Sequence, residues 1–130
     1  HDRVGGRRFG QATAWRWQQA GLNFAHLGGT AATLSGEDKV LLGRPDVLII
    51  GVGGGGKVYN GEEAAAVVRA LNPRRVIPVQ YVNGEAPSGC DLSDVQPFLD
   101  AMSGTEVRKV GPNLNLPGNL GDNTVIDVMR

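Results

Sequence analysis

Residues 46–63 read Asp-Val-Leu-Ile-Ile-Gly-Val-Gly-Gly-Gly-Gly-Lys-Val-Tyr-Asn-Gly-Glu-Glu. Val47 to Val52 is a continuous apolar run, the pattern of a central strand buried on both faces. Five of the six residues from Gly51 to Gly56 are glycine, and a helix start follows at Asn60-Gly61-Glu62-Glu63. Strand, glycine loop and helix in that order predict an α/β fold with a cleft at the strand's carboxyl end.

Two phosphate-binding patterns overlay this loop. Gly51, Gly56 and Lys57 fit G-x-x-x-x-G-K, and Gly51, Gly53 and Gly56 fit G-x-G-x-x-G. Any glycine run satisfies both. The first needs Ser or Thr after the lysine to hold magnesium, and Val58 stands there. It also needs a helix that starts at the lysine, so that amides and dipole face the phosphate, whereas the capping signal comes later, at Asn60. The second needs an acid about 20 residues on, and Arg74–Gln80 contains none. The glycines instead predict close backbone approach or positive φ over a cleft.

Composition narrows the function classes. The 130 residues suffice for one domain, 1–130, with a real core. Thirteen basic and thirteen acidic side chains balance, which argues against nucleic acid or a membrane surface as partner. No apolar run approaches the roughly 20 residues of a membrane span, and no signal peptide is evident. The single Cys90 cannot form an internal disulfide, which suits a reducing compartment and predicts a cytoplasmic protein. The chain begins at His1 rather than Met, as a fragment, a processed chain or a partial reading frame would.

Residues 11–18 alternate, with Thr13, Trp15 and Trp17 on one face, and Leu22-Asn23-Phe24-Ala25-His26 alternates again after Ala20-Gly21; the two predict a hairpin. Ser35 opens a short helix to about Leu42. A helix over 61–71 places Ala64, Val67, Val68 and Leu71 on one stripe. Val76–Val79 predicts a strand parallel to 47–52. Asp91 or Ser93 is expected to cap a helix to about Met102, with short strands near 106–110, 113–115 and 124–128. The order predicts a parallel unit with antiparallel edges.

Chemistry-bearing residues are few. His1 and His26 are the only histidines, and there is no H-E-x-x-H or Cys/His cluster, so the chain offers no closed zinc site by itself. His26 follows Leu22 and Phe24 at period two, which predicts a packed histidine at a strand end. Trp15 and Trp17 share a face without interleaved basic residues and predict core or interface. Gly53, Gly54, Tyr59, Gln80 and Tyr81 are expected to line the cleft.

Taken together, several segments resemble the C-terminal half of the metallo-β-lactamase-fold hydrolases, nearest the ascorbate-6-phosphate lactonase-like branch. His1-Asp2 with the loop ending Arg8-Phe9-Gly10 is similar to the family's third metal-binding segment. Phe24–Gly29 resembles its strand ending in Gly-Asp, Pro45–Gly54 its central strand and glycine loop, and Asn60–Ala65 the helix start after it. Asn72-Pro73 through Tyr81 resembles its final motif strand, which usually ends Pro-x-His-Tyr. The resemblance implies half of an αββα sandwich, with a mixed sheet flanked by helices. It also implies that Gly29 stands where the family has a metal-bridging Asp and Gln80 where it has a ligand His. Of the family's ligands only His1 remains, and the H-x-H-x-D-H motif belongs to the other half. Hydrolysis there rests on a metal-activated hydroxide. The expectation is therefore a hydrolase-like chain with an impaired or absent metal site. No cofactor is expected in this chain alone, and zinc or another divalent metal only if the other half is present. The alternative is a non-catalytic small-molecule-binding or interaction domain. Half a sandwich leaves one sheet face to be met by a second copy or by the missing N-terminal half.

Overall fold

The computed structural model describes all residues, 1–130. In chain order it has β1 (Trp15–Gln19), β2 (Leu22–His26), α1 (Gly36–Leu42), β3 (Val47–Gly51), α2 (Gly61–Leu71), β4 (Arg75–Val79), α3 (Gln96–Ala101), β5 (Glu106–Lys109) and β6 (Val125–Val128). The strands form one six-stranded sheet in the order β1-β2-β3-β4-β6-β5. Only β1 runs antiparallel to its neighbour; β2-β3, β3-β4, β4-β6 and β6-β5 are all parallel. The α/β class and mixed sheet are as expected. The expectation of antiparallel edges holds at β1 and fails at β5.

Local chemistry sets most boundaries. Ala20 and Gly21 take φ of 50° and 77°, as a two-residue turn requires when its twist matches the strands it joins. Ser35 and Asp38 form a reciprocal capping box on α1, and Asn60 and Glu63 form one on α2. Asn72 closes α2 in the left-handed conformation, and Pro73 cannot continue it. The Ala64, Val67, Val68 and Leu71 stripe of α2 is buried with Ala25, Leu48, Ile50, Val76 and Ile126 of the sheet and Phe98 and Met102 near α3. Gly61 lets α2 meet α3 closely: a Cβ there would lie 2.5 Å from the Phe98 nitrogen.

Two sequence expectations are corrected. Neither Asp91 nor Ser93 caps α3, which starts at Gln96 without a side-chain cap; both residues are drawn to the glycine loop instead. Residues 113–115 form no strand. The segment joining β5 to β6 instead brings Leu114, Leu116 and Pro117 to a groove of about 640 Å³ beside Leu22, Phe24 and Ile77. These three belong to the sheet face opposite the one that carries Ala25, Leu48 and Val76, because side chains alternate along each strand.

Arg75 and Asp127 occupy that same second face, as their register with Val47 and Val125 shows. Arg75 Nη1 donates to Asp127 Oδ2 at 2.9 Å, and both side chains are buried. Arg75 Nε and Asp127 Oδ1 have no partner, so the pair bears desolvation with a buried donor and a buried acceptor left unpaired. Asp127→Ala strands a buried guanidinium and is expected to lower unfolding free energy by about 3–5 kcal/mol, whereas Arg75→Met with Asp127→Leu recovers most of that loss. Urea unfolding of the two variants checks the difference.

Candidate functional site

The carboxyl ends of β2, β3 and β4 converge on one cleft. The β3–β4 ladder is prolonged by a bond from the Val52 amide to the Val79 carbonyl. Beyond it the chains touch: a Cβ on Gly53 would lie 2.2 Å from the Gln80 carbonyl oxygen and 3.0 Å from Tyr81 Cα. Gln80 itself has φ of 53°, a region that non-glycine residues rarely occupy and that Asn, Asp and His enter most readily. Its side chain crosses between two glycines. Oε1 is 2.5 Å from where a Cβ on Gly51 would stand, and Nε2 is 3.8 Å from that of Gly29. The structure thus brings together Gly29 and Gln80, 51 residues apart in sequence.

The chain's start closes one side of this cleft. The His1 carbonyl accepts from the amides of Ala31 and Ala32, and its amino group donates to Thr30 Oγ1. His1 Nδ1 lies 2.9 Å from the Asp2 carbonyl oxygen. A carbonyl only accepts, so that nitrogen carries the proton and Nε2 holds the neutral ring's lone pair. Asp2 is buried, and its carboxylate accepts from the amides of Val4, Gly6, Arg8 and Phe9. Burial pushes its pKa up, but these four amides outweigh it and hold the carboxyl below its ordinary value.

Arg3 ties this N-terminal loop to the rest. Its Nε and Nη2 donate to the two Glu63 oxygens, while Nη1 reaches the Gly55 carbonyl and Nη2 the Val58 carbonyl. The Arg3 guanidinium holds the Glu63 carboxyl below its usual range. Phe9 lies against Gly56, where a Cβ would come within 2.6 Å of its ring, and Arg8 and Lys57 flank that ring at 4.9 and 5.2 Å.

The glycine loop is not a phosphate cradle. Asp91 Oδ2 accepts from the Gly56 amide at 3.2 Å, and its carboxylate lies within 2.8 Å of where a Cβ on Gly55 would stand. A carboxylate already sits where an anion would need free amides, and α2 begins only at Gly61. Ser93 adds a second strap, since its amide and its hydroxyl both donate to the Gly53 carbonyl. The roles of Arg3, Phe9, Asp91 and Ser93 carry no signal in the sequence, because their partners lie 40 or more residues away or, for Asp91, 35.

The other expected cleft residues divide. Gly53 and Gly54 form the floor and are buried. Tyr59 faces elsewhere: it is buried in the core, its hydroxyl donates to the Ala32 carbonyl, and burial raises its phenol pKa. Tyr81 also spends its hydroxyl, on the Met129 carbonyl. His26 is half-buried on the second sheet face, opposite Trp15, and its Nδ1 accepts from the Gly28 amide. Gln80 is exposed, and its side-chain amide has no protein partner.

A zinc site needs at least three protein donors in reach of one point. No group of three or more His, Cys, Asp or Glu side chains stands close enough to hold a metal ion. Asp2 has its oxygens filled, Gly29 has no side chain and Gln80 offers a neutral amide, which leaves His1 Nε2. The residues of this chain, taken alone, do not fit the group.

Two consequences are measurable. Gly53→Ala pushes a methyl into backbone and is expected to cost roughly 1–3 kcal/mol or more, whereas Gly51→Ala costs less, because the Gln80 side chain can swing away and the buried Val58 at 3.0 Å need give by only a few tenths of an ångström; chemical denaturation ranks them. Because the folded pKa of Asp2 is depressed, its stabilisation is complete above the unfolded value and is lost as pH falls through the folded one. Asp2→Asn is therefore expected to be less stable at neutral pH and to lose less on acidification, read as urea midpoints at neutral and acid pH.

No helix is long and apolar enough to cross a membrane. Among curated protein sequences none matches the chain significantly. A solved structure from Thermotoga maritima, of a protein assigned to the Zn-dependent hydrolases of the metallo-beta-lactamase superfamily, superposes with a TM-score of 0.77 at 25% identity. The match covers 90% of this chain and 59% of that one, so the chain spans little more than half of its structural relative. The family model of the beta-lactamase superfamily domain matches residues 1–80, the part that carries the N-terminal loop, the hairpin, the glycine loop and β4 through Gln80. The chain belongs to the metallo-β-lactamase superfamily.

Proposed function

We infer that these 130 residues form one cleft-bearing domain of a metallo-β-lactamase-type hydrolase, and that their part of the metal site is impaired. The observation that carries this reading is the meeting of Gly29 and Gln80. The two positions at which the family resemblance implies metal ligands face one another across the cleft, and neither offers a zinc-type donor. The backbone supports it independently. Position 80 keeps a positive φ that His enters more readily than Gln. Substrates of the ester or lactone class follow from the family only. The zero net charge and the Asp91 carboxylate over the loop disfavour nucleic acid and anionic phosphate groups as ligands. The lone Cys90 fits a cytoplasmic setting.

Zinc titration of the chain, followed by calorimetry and by metal analysis after dialysis, tests this. No stoichiometric uptake is expected. Gly29→Asp with Gln80→His, which sets two zinc-type donors at positions that already approach one another, is expected to bind zinc more tightly than the unmodified chain. Stoichiometric zinc in the unmodified chain, lost in His1→Ala, would sink the impaired-site reading.

The free amide of Gln80 favours a second reading, a small-molecule-binding domain on the same fold. A carboxamide that has no protein partner, between Gly29 and Gly51, can donate and accept at once. Under this reading small amides and carboxylic acids raise the melting temperature, a chelator leaves the shift unchanged, and Gln80→Ala removes it.

A further inference from the structure

The two edges of the sheet differ in a way that the cleft does not explain. β5 carries Glu106, Arg108 and Lys109 in four residues, the charged pattern that keeps a free edge from pairing. β1 reads Trp-Arg-Trp-Gln-Gln and is exposed along its whole length. It has a single charge, Arg16, and that guanidinium folds back to donate to the Leu41 carbonyl.

The direction of the free backbone groups on β1 follows from its neighbours. The Asn23 carbonyl accepts from Asp46, and the Leu27 amide donates to Ile49. Odd-numbered residues of β2 therefore face β3, and Leu22, Phe24 and His26 face β1. Their partners Gln19, Trp17 and Trp15 thus spend their backbone groups inward, which leaves the amides and carbonyls of Arg16 and Gln18 directed outward.

Large apolar groups flank the same edge on both sides. Trp15 is 66% exposed, and Trp17 stacks on Phe24 with ring centroids 5.1 Å apart. On the helix side the Arg16–Leu41 bond brings up the end of α1, where Val40 and Leu41 are 81% and 64% exposed.

We propose that β1 is a dimerisation edge and that a second copy of this chain pairs with it antiparallel about Trp17. In that register Arg16 and Gln18 of one copy exchange backbone hydrogen bonds with Gln18 and Arg16 of the other. The two Trp17 rings meet as a closely spaced non-hydrogen-bonded pair. All five strand residues are paired and no like charges face. A two-fold centred on Arg16 would oppose two guanidiniums, and one centred on Gln18 would run Arg16 into the Ala20-Gly21 turn. The two α1 ends come together over the helix face, with the self-complementarity that a two-fold contact requires.

Sedimentation velocity through the micromolar range tests this independently of any metal or catalytic reading. The chain is expected to be a dimer. Gln18→Pro removes an outward amide and none of the β1–β2 bonds, and is expected to give a monomer with unchanged circular dichroism. Gln18→Glu and Gln18→Arg place an acid or a second base opposite Arg16 at two equivalent pairs. They are expected to tighten and weaken the dimer by roughly fivefold each, and they carry the test if the proline variant does not fold. Val107→Lys, on the guarded edge, leaves the dimer intact. A monomeric chain, or a dimer whose affinity is indifferent to the charge at position 18, overturns the proposal.

Discussion

The backbone contact between Gly53 and Gln80 is the constraint around which the cleft is built. It begins where the β3–β4 ladder ends, and it leaves no room for a side chain at 53. The same approach accompanies the left-handed turn at Gln80, which sends that side chain back over Gly51 toward Gly29. Ser93 then closes on the Gly53 carbonyl from the far side. A glycine-rich loop here serves packing between two strand ends, and its cleft is a by-product of that packing.

The N-terminal loop is the second half of the device. Asp2 gathers four amides of its own loop, and Arg3 spreads one guanidinium over Glu63 and two carbonyls of the 55–58 segment. Glu63 meanwhile caps α2. One charge pair thus joins the chain start, the glycine loop and the first turn of the longest helix. Both partners are partly exposed, so the link owes its strength to bidentate geometry and to sharing of donors more than to the bare ion pair.

Membership of the metallo-β-lactamase superfamily rests on residues 1–80 and on the superposition with a longer hydrolase structure. Strand ends, glycine loop and helix cap stand around Gly29 and Gln80. Fold alone does not carry chemistry, so membership establishes the scaffold and not an activity of this chain.

Much of the fold was legible because its signals are local. The buried run at 47–52, the Trp-rich hairpin, the Ser35 and Asn60 caps and the α2 stripe each arise from neighbours a few residues apart, and all appear, although the first hairpin strand begins only at Trp15 and not at the start of the 11–18 alternation. Failures came where a long-range partner outbid a local one. Asp91 and Ser93 look like helix caps and are taken instead by the glycine loop, and residues 113–115 have strand character but no strand to pair with. Tyr59 and Tyr81 look like cleft residues in sequence, yet burial and main-chain acceptors claim their hydroxyls. The sequence by itself determined the strand–glycine–helix unit, the absence of a nucleotide signature and the identities at positions 29 and 80. Only the tertiary structure decided that those two positions meet, that an acid caps the glycine loop and that one sheet edge is guarded while the other is bare. Such facts depend on which distant segments the sheet order brings together, and no local propensity encodes that.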